Sequence, residues 1–182
     1  MTETAPEADR VPGAPHPREA TGLIGHDSAV ADFIAAARAH RLHHGWLITG
    51  PRGSGRTNAL RWFAESLRRW QPGIELYLLT PRRSSLASWG GWTRTVSGAA
   101  DVDTLVRDTL MPKVQRDTDP GAKPRFAIMV EGVPDFANGD AEMSLSDLMV
   151  EARRNGHVVF GEAEVGEVSS SYSSLLSELK QT

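Results

Sequence analysis

The sequence contains no cysteine among its 182 residues. This absence excludes disulfides, thiolate metal sites and a cysteine nucleophile, and it is typical of a reducing compartment. Long apolar runs are missing too, since no stretch approaches the roughly 20 apolar residues that cross a bilayer. The N-terminus also lacks the basic start and apolar run of a signal peptide. We therefore expect a soluble, cytoplasmic protein with no membrane segment.

A large excess of one charge is also absent. The chain has 20 basic and 23 acidic side chains, for a formal net charge of −3. This balance provides no global cationic field that would draw the chain onto nucleic acid or an anionic membrane, so any such contact has to be local.

The length and the hydrophobic content of 40% fit one ordinary domain with a real core. The first 20 residues are rich in proline, charged and small residues, and they cannot bury enough apolar surface to offset their ordering entropy. We predict a flexible N-terminal tail over residues 1–20 and a single domain over residues 21–182.

Apolar patterns alternate between strand and helix along the domain. Short apolar runs predict strands at 45–49, 74–80, 93–97, 126–131 and 157–161, the first of them buried. Helical spacing predicts helices from Asp27 or Ser28 to about Leu42, from the glycine loop to about Trp70, from Asp101 or Asp103 to about Val114 with a kink or break at Pro112, and over 141–154. A last helix is lined by Tyr172, Leu175, Leu176 and Leu179. Alternation of this kind predicts an α/β fold with a parallel sheet between two layers of helices.

A glycine-rich segment joins the first predicted strand to the next helix. It matches the Walker A spacing G-x-x-x-x-G-K-[ST], in which main-chain N–H groups and a helix N-terminus hold phosphate. Ligands of such folds bind at the carboxyl ends of the strands, where this segment lies. The predicted nucleotide-binding residues are Gly50, Pro51, Arg52, Gly53, Ser54, Gly55, Arg56, Thr57 and Asn58.

The loop departs from the pattern at one position, because Arg56 replaces the usual lysine. A planar guanidinium does not fill the place of a compact ammonium that reaches between the β- and γ-phosphates. We therefore expect nucleotide binding to persist while hydrolysis suffers. Thr57 keeps the hydroxyl that P-loop proteins use to bind Mg²⁺.

A second expected element is an acid at the end of a buried strand. Glu131 follows the apolar run 126–130 and is a candidate Mg²⁺ ligand and a weak catalytic candidate, with a strand-end residue as the alternative. Gly132 stands where a water-activating acid would follow. Asp135 is a weak substitute for that acid, and a turn residue after Pro134 is the favoured interpretation.

Three other groups of residues carry weaker signals. His43 and His44 are adjacent, so they favour solvent or helix-end contacts over metal binding. Arg82 and Arg83 with two tryptophans, Trp89 and Trp92, suggest either a nucleic-acid patch or ordinary surface-loop chemistry, and we favour the second. The serine run at 169–174 lacks a nucleophile elbow and a base partner, so it indicates a polar helix face and helix start.

The segment from residue 16 to about 60 resembles the start of the delta-prime subunit of the DNA polymerase III clamp loader. The resemblance is carried by HPR at 16–18, LIGH at 23–26 and RLHHGWLITGP at 41–51. It implies a scaffold role in DNA replication with related ring subunits and a sliding clamp as partners. The family's zinc-binding cysteines, sensor motifs, helical lid and collar do not follow in this chain.

From Gly50 onward, through about residue 180, the chain resembles the ATPase-like module of the FtsK/SpoIIIE family, especially forms related to type VII secretion ATPases. The resemblance is carried by GSGRT at 53–57, LLTPRRS at 78–84, VEGVPDF at 130–136 and ARRNGHVV at 152–159. It implies a three-layer RecA/AAA-like fold, with degenerate Walker A and Walker B motifs like those of modules that bind nucleotide or regulate a larger translocase. The chain stops at Thr182 before the final strands and ring-forming surfaces that this family implies.

The sequence therefore predicts a P-loop module that binds ATP or another nucleoside triphosphate with Mg²⁺ and hydrolyses it slowly or not at all. We expect protein partners in a ring or larger DNA-translocation or secretion assembly, with DNA contacted through that assembly. The alternative is a non-catalytic clamp-loader scaffold. A small-molecule kinase is disfavoured because the sequence shows no lid or acceptor site.

Overall fold

The structure is a computed structural model that describes residues 26–39, 42–51, 55–118, 124–170 and 173–180. The predicted tail over 1–20 and the middle of the loop at 52–54 lie outside these residues. The strands are β1 (Gly45–Gly50), β2 (Glu75–Thr80), β3 (Arg94–Ser97), β4 (Phe126–Val130) and β5 (Val158–Glu164). The helices are α1 (Asp27–Arg38), α2 (Arg56–Trp70), α3 (Ala99–Leu105), α4 (Met111–Arg116), α5 (Glu142–Arg154), α6 (Val165–Ser170) and α7 (Ser174–Lys180).

The strands form one parallel sheet in the order β1-β5-β4-β2-β3, which confirms the predicted fold class. β5 therefore lies between β1, which leads into the phosphate loop, and β4, which leads to Glu131. The prediction that β1 is a buried strand is wrong, because β1 lies at an edge of the sheet and most of its residues are only half-buried. The strand has glycine at both ends and the exposed polar residue Thr49 next to its last residue, which fits an edge strand.

The core has two halves, one on each face of the sheet. Leu76 and Leu78 of β2 point to the side covered by α1 and α2, where Phe33 and Phe63 pack edge to face with ring centroids 4.8 Å apart. Tyr77 and Leu79 of the same strand point to the opposite side, which is covered by α3, α4, α5 and α7. This alternation follows from the two-residue period of a strand and gives the three-layer arrangement.

The helical region after β3 is continuous but irregular. It begins at Ala99, directly after Gly98, rather than at the predicted Asp101 or Asp103. A π-helical turn, Val106–Leu110, separates α3 from α4. Pro112 lies in the first turn of α4 and has no N–H, and a proline ring clashes with the carbonyl four residues earlier in a regular α-helix. The sequence predicts a kink or break at Pro112, and the wider π turn just before it takes up this irregularity without ending the helical region.

Several predicted boundaries are shifted. α1 ends at Arg38 rather than near Leu42, because its last buried residue is Ala37. β5 continues past the predicted end at Gly161 to Glu164, and the short helix α6, which the sequence did not predict, follows at once. No described helix is long and apolar enough to cross a membrane.

α7 packs closely over β5 at Gly161. A Cβ atom at this position would lie 2.5 Å from Leu179 Cδ1 and 2.7 Å from Val133 Cγ2. Both distances are shorter than a normal carbon contact, so a side chain at this position would force Leu179 and Val133 to shift. The same contact joins α7 to the 3₁₀ turn Val133–Phe136 that follows β4.

We predict that Gly161→Ala lowers the free energy of unfolding by about 1 to 3 kcal/mol, because the added methyl overpacks this contact. Chemical denaturation monitored by tryptophan fluorescence measures the change. Gly73→Ala is the control, since a Cβ at Gly73 meets no atom within 4 Å. Equal stability of the two variants would contradict the packing described here.

Candidate functional site

A cavity of about 420 Å³ opens at the carboxyl edge of the sheet. Parallel strands place all their carboxyl ends at the same edge, so segments far apart in the sequence meet there. The cavity is lined by residues from the start of α2 and from the segments at the ends of β2, β4 and β5. These are Arg56, Thr57, Pro81, Arg82, Arg83, Glu131, Gly132, Asp135, Glu162, Ala163, Glu164 and Glu167.

The described part of the phosphate loop frames the entry to α2. Gly50 ends β1 and is buried, and Pro51 beside it is exposed. Gly55 precedes the helix with φ +81°, a left-handed conformation that glycine adopts without strain. Thr57, in the first turn of α2, lines the cavity. Asn58 follows it and is half-buried, while Arg52, Gly53 and Ser54 lie outside the described residues.

Arg56 binds groups of the protein itself. Its Nη1 donates a hydrogen bond to the carbonyl oxygen of Gly50 over 2.6 Å. Its Nε lies 2.9 Å from Glu162 Oε2, an ion-pair distance. That oxygen accepts no hydrogen bond within the described chain, so the contact is electrostatic rather than well aligned. The guanidinium that the sequence assigns to phosphate is therefore held by a carboxylate.

Glu162 connects both sides of the cavity. It is only 7% exposed, and its Oε1 accepts a hydrogen bond from the backbone N–H of Gly132 over 2.9 Å. Gly132 has φ +62°, a conformation that other residues rarely adopt, so glycine is needed for this N–H to turn toward β5. One carboxylate thus joins the start of α2 to the turn after β4.

Glu131 follows β4 and has an unusual environment. Burial raises its pKa above the ordinary value for a glutamate, and the nearby charges of Glu162 and Asp135 act in the same direction. A hydrogen bond with the Ser84 side chain and the charge of Arg82 lower the pKa and offset part of this effect. A carboxyl group of this kind holds a proton more readily than an exposed one, and a bound cation would oppose that.

Asp135 lies at the mouth of the cavity. Its Oδ2 is 3.3 Å from Arg82 Nη1, and the two side chains are 41% and 79% exposed. The carboxylate also lies beside Gly132, where a Cβ atom would be 2.9 Å from Oδ2. Asp135 is in the 3₁₀ turn, as the turn interpretation of this residue predicted.

Among the described residues that line the cavity, acids outnumber bases. Its lining includes three guanidinium groups, those of Arg56, Arg82 and Arg83, and five carboxyl groups, those of Glu131, Asp135, Glu162, Glu164 and Glu167. A bare polyphosphate would be repelled by this excess, whereas its complex with a divalent cation carries less negative charge. The electrostatics therefore favour an anion that arrives with a cation.

The described residues of the site offer few ligands to a hard divalent cation. The described residues contain no group of three or more histidine, aspartate or glutamate side chains arranged to hold a metal ion. Thr57 and Glu131 nevertheless line the same cavity, and Mg²⁺ is usually held by one or two protein oxygens together with phosphates and water. These two residues therefore fit Mg²⁺ only in company with a phosphate ligand.

The other residues singled out in the sequence have structural contacts. Trp89 and Trp92 meet edge to face with ring centroids 4.9 Å apart, and Trp92 Nε1 donates a hydrogen bond to Leu86 O over 2.7 Å. Both rings pack against the core on the α2 side of the sheet. These contacts favour the surface-loop interpretation. His43 is exposed, and its ring meets the edge of Trp46.

Sequence reasoning missed Glu162. The predicted strand ended at Gly161, and no role was predicted for the acids that follow it. A partial signal was present, because Glu162 stands just after the apolar run 158–160, and glutamate is almost never buried unless it is paired. Arg56, the basic residue that breaks the phosphate-loop pattern, is the partner that this rule requires.

Together, the parallel sheet, its strand order and the helices on both faces give the chain a three-layer RecA/AAA-like α/β fold. No family profile matches the sequence, and no curated protein matches it. The comparisons that identify this fold are with solved structures.

Three of these similar structures illustrate the comparison. The cytoplasmic domain of EssC is 18% identical with a TM-score of 0.58, over 75% of this chain and 30% of that one. EccC of Thermomonospora curvata (ATPases 2 and 3), in complex with a signal sequence peptide, is 18% identical with a TM-score of 0.57, over 75% and 28%. Domain III of the Thermotoga maritima replication initiation protein DnaA is 13% identical with a TM-score of 0.55, over 88% and 62%.

The chain therefore spans less than two thirds of each of these structures. At such low identity the similarity establishes the fold alone. The expected likeness to secretion ATPases is confirmed at that level. The clamp-loader resemblance stays a prediction, and its first residues, 16–25, lie outside the described chain.

The ion pair of Arg56 with Glu162 yields a stability prediction. The Arg56 side chain is 17% exposed, so Arg56→Met leaves a buried charge without its partner and should cost about 2 to 4 kcal/mol of unfolding free energy. Arg82→Met is the matched control: it breaks an exposed pair and should cost less than about 1 kcal/mol. Denaturant titration compares the two, and equal losses would contradict the assignment of Arg56 to a buried pair.

Proposed function

We propose that the chain binds a nucleoside triphosphate, with ATP as the expected ligand, as its Mg²⁺ complex in the cavity at the carboxyl edge of the sheet. The observation that carries this proposal is the meeting of Thr57, at the start of α2, with Glu131, at the end of β4, in the lining of one cavity. The two residues are more than 70 positions apart, and the strand order brings them together.

The phosphate-binding part of the proposal rests on the entry to α2. The order of strand, glycine loop and helix directs N-terminal N–H groups and the positive end of the helix dipole toward an anion. The left-handed Gly55 and the burial of Gly50 are consistent with that loop. In this proposal the main chain over 50–57 holds phosphate, and Arg56, Thr57 and Asn58 complete the site.

Mg²⁺ has a specific task in this cavity. When bound, it neutralises phosphate charge and allows an anion to enter a site that is rich in carboxylates. Thr57 and Glu131 would hold it, directly or through water. Burial raises the pKa of Glu131 and disfavours its ionised form, and a bound cation would favour that form.

Hydrolysis should be slow or absent. Gly132 offers no side chain to activate water at the position after Glu131. Asp135, the other candidate base, is paired with Arg82 at the exposed mouth of the cavity. A general base has to reach the proton that it removes, and neither residue is suited to that task.

We further propose that the module acts within a larger secretion or DNA-translocation assembly in the cytoplasm. The similarity to EssC and EccC supports this, since one of those structures is described as a cytoplasmic domain and another contains a signal sequence peptide. The chain corresponds to only part of each. DNA contact and the clamp-loader alternative are predictions from resemblance, and no contact among the described residues favours them.

Titration calorimetry with ATP tests the proposal. We expect weak binding with Mg²⁺ and much weaker binding with EDTA, because the cavity is rich in carboxylates, and turnover on the same sample should be close to background. Thr57→Val removes the hydroxyl while keeping the shape, so it should reduce the effect of Mg²⁺. Thr95→Val on the edge strand β3 is the control. Absence of ATP binding with Mg²⁺ would overturn the proposal.

Arg56→Lys should strengthen Mg²⁺-ATP binding several-fold. An ammonium on a flexible stem reaches between phosphates, and it lacks the planar fork that contacts Gly50 and Glu162 together. Turnover should stay low, because the variant adds no base. Calorimetry of both proteins measures the effect, and unchanged affinity would count against a role of position 56 in binding.

A further inference from the structure

We propose that Glu162 is a positioning residue that holds Arg56 as an internal substitute for phosphate, so that nucleotide binds tightly only when Arg56 exchanges this carboxylate for the ligand. The inference rests on the proposed nucleotide site and adds its regulation. Nothing in the phosphate-loop pattern assigns a role to Glu162, which lies more than 100 residues further along the chain.

The first part of the argument is the state of Arg56. Its contacts with Gly50 O and with Glu162 Oε2 direct the guanidinium toward β1 and β5. A guanidinium binds a carboxylate and a phosphate through the same planar set of donors. A phosphate oxygen and Glu162 therefore compete for the same group.

The second part is the hydrogen bond from Gly132. Its N–H belongs to the turn after β4, at the cavity wall opposite α2, and it is donated to the other oxygen of Glu162. Glu162 thus accepts a hydrogen bond from one side of the cavity and forms an ion pair with Arg56 on the other. A bound anion offers oxygens in the same way, and this similarity makes Glu162 a substitute for the ligand.

The third part is the depth of Glu162. The residue is 7% exposed, so solvent cannot easily replace Arg56 as its partner. Removal of Arg56 from a buried carboxylate is costly, and the free protein spends little time with Arg56 released. When only a fraction of the molecules has Arg56 released and can bind nucleotide, the apparent affinity is reduced in proportion to that fraction. Neutralisation of Glu162 should therefore raise the apparent affinity.

The test measures binding of Mg²⁺-ATP to the full chain by calorimetry. Glu162→Gln keeps the size of the side chain and an oxygen that can accept from Gly132, but it removes the charge that holds Arg56. We expect affinity to rise about tenfold, in proportion to the larger fraction of molecules with Arg56 released. Thermal melting of both proteins checks that the variant is folded.

Two controls separate this effect from simple charge removal. Glu167→Gln removes one charge from the same cavity without contact to Arg56, so it sets the size of the general electrostatic change. Glu162→Gln combined with Arg56→Met should lose the additional gain, because the released group is absent. A gain that persists in the double variant, or a gain no larger than that of Glu167→Gln, would overturn the inference while leaving nucleotide binding in place.

The outcomes also distinguish this inference from the proposed function. If the wild type fails to bind and Glu162→Gln binds, the proposed function fails for the wild-type chain, while the inference that the internal carboxylate blocks the site stands. If neither protein binds Mg²⁺-ATP or Mg²⁺-pyrophosphate at millimolar concentration, the proposed function and the inference both fail.

A measurement on the wild type covers the case in which Glu162→Gln does not fold. The ¹⁵Nε resonance of Arg56, assigned by its loss in Arg56→Lys, should shift when Mg²⁺-ATP is added, because the side chain changes partner. Addition of Mg²⁺ alone should leave it in place. Saturating nucleotide binding without movement of this resonance would overturn the inference.

Discussion

The parallel direction of all five strands is the constraint on which the rest of the structure depends. Each strand has to return to the same end of the sheet before the next one begins, so helices cover both faces and every carboxyl end opens at one edge. The candidate site requires no further arrangement. It is formed by residues that follow the strands at this edge. For this reason Arg56, at the start of α2, lies next to Glu162, more than 100 residues further along the chain.

The electrostatic character of this edge sets it apart from a simple phosphate cradle. Backbone donors and a helix N-terminus attract anions, while the surrounding carboxylates repel them. The ion pair of Arg56 with Glu162 lies between these tendencies. The strength of ligand binding at such a site depends on the ligand and on the cation that accompanies it. It also depends on Arg56 and Glu162, because each already has a partner within the protein.

Much of the fold could be predicted from the sequence. The strands at 75–80 and 126–130 contain the apolar runs 76–79 and 126–130, and the helix over 142–154 has a regular apolar face, so these elements could be predicted from local pattern. The end of β5 was not predictable in this way, because Glu162 and Glu164 interrupt its apolar pattern. The partner of Arg56 was also hidden, since pairing across more than 100 residues depends on strand order, which local periodicity does not encode.

The close contact at Gly161 gives this site a mechanical connection to the outside of the domain. Glu162 is hydrogen-bonded to Gly132, the next residue Val133 lies against the glycine surface of β5, and Leu179 of α7 closes over both. Glu162, Gly132, Val133 and Leu179 thus form a short path of neighbouring residues from the buried carboxylate to α7.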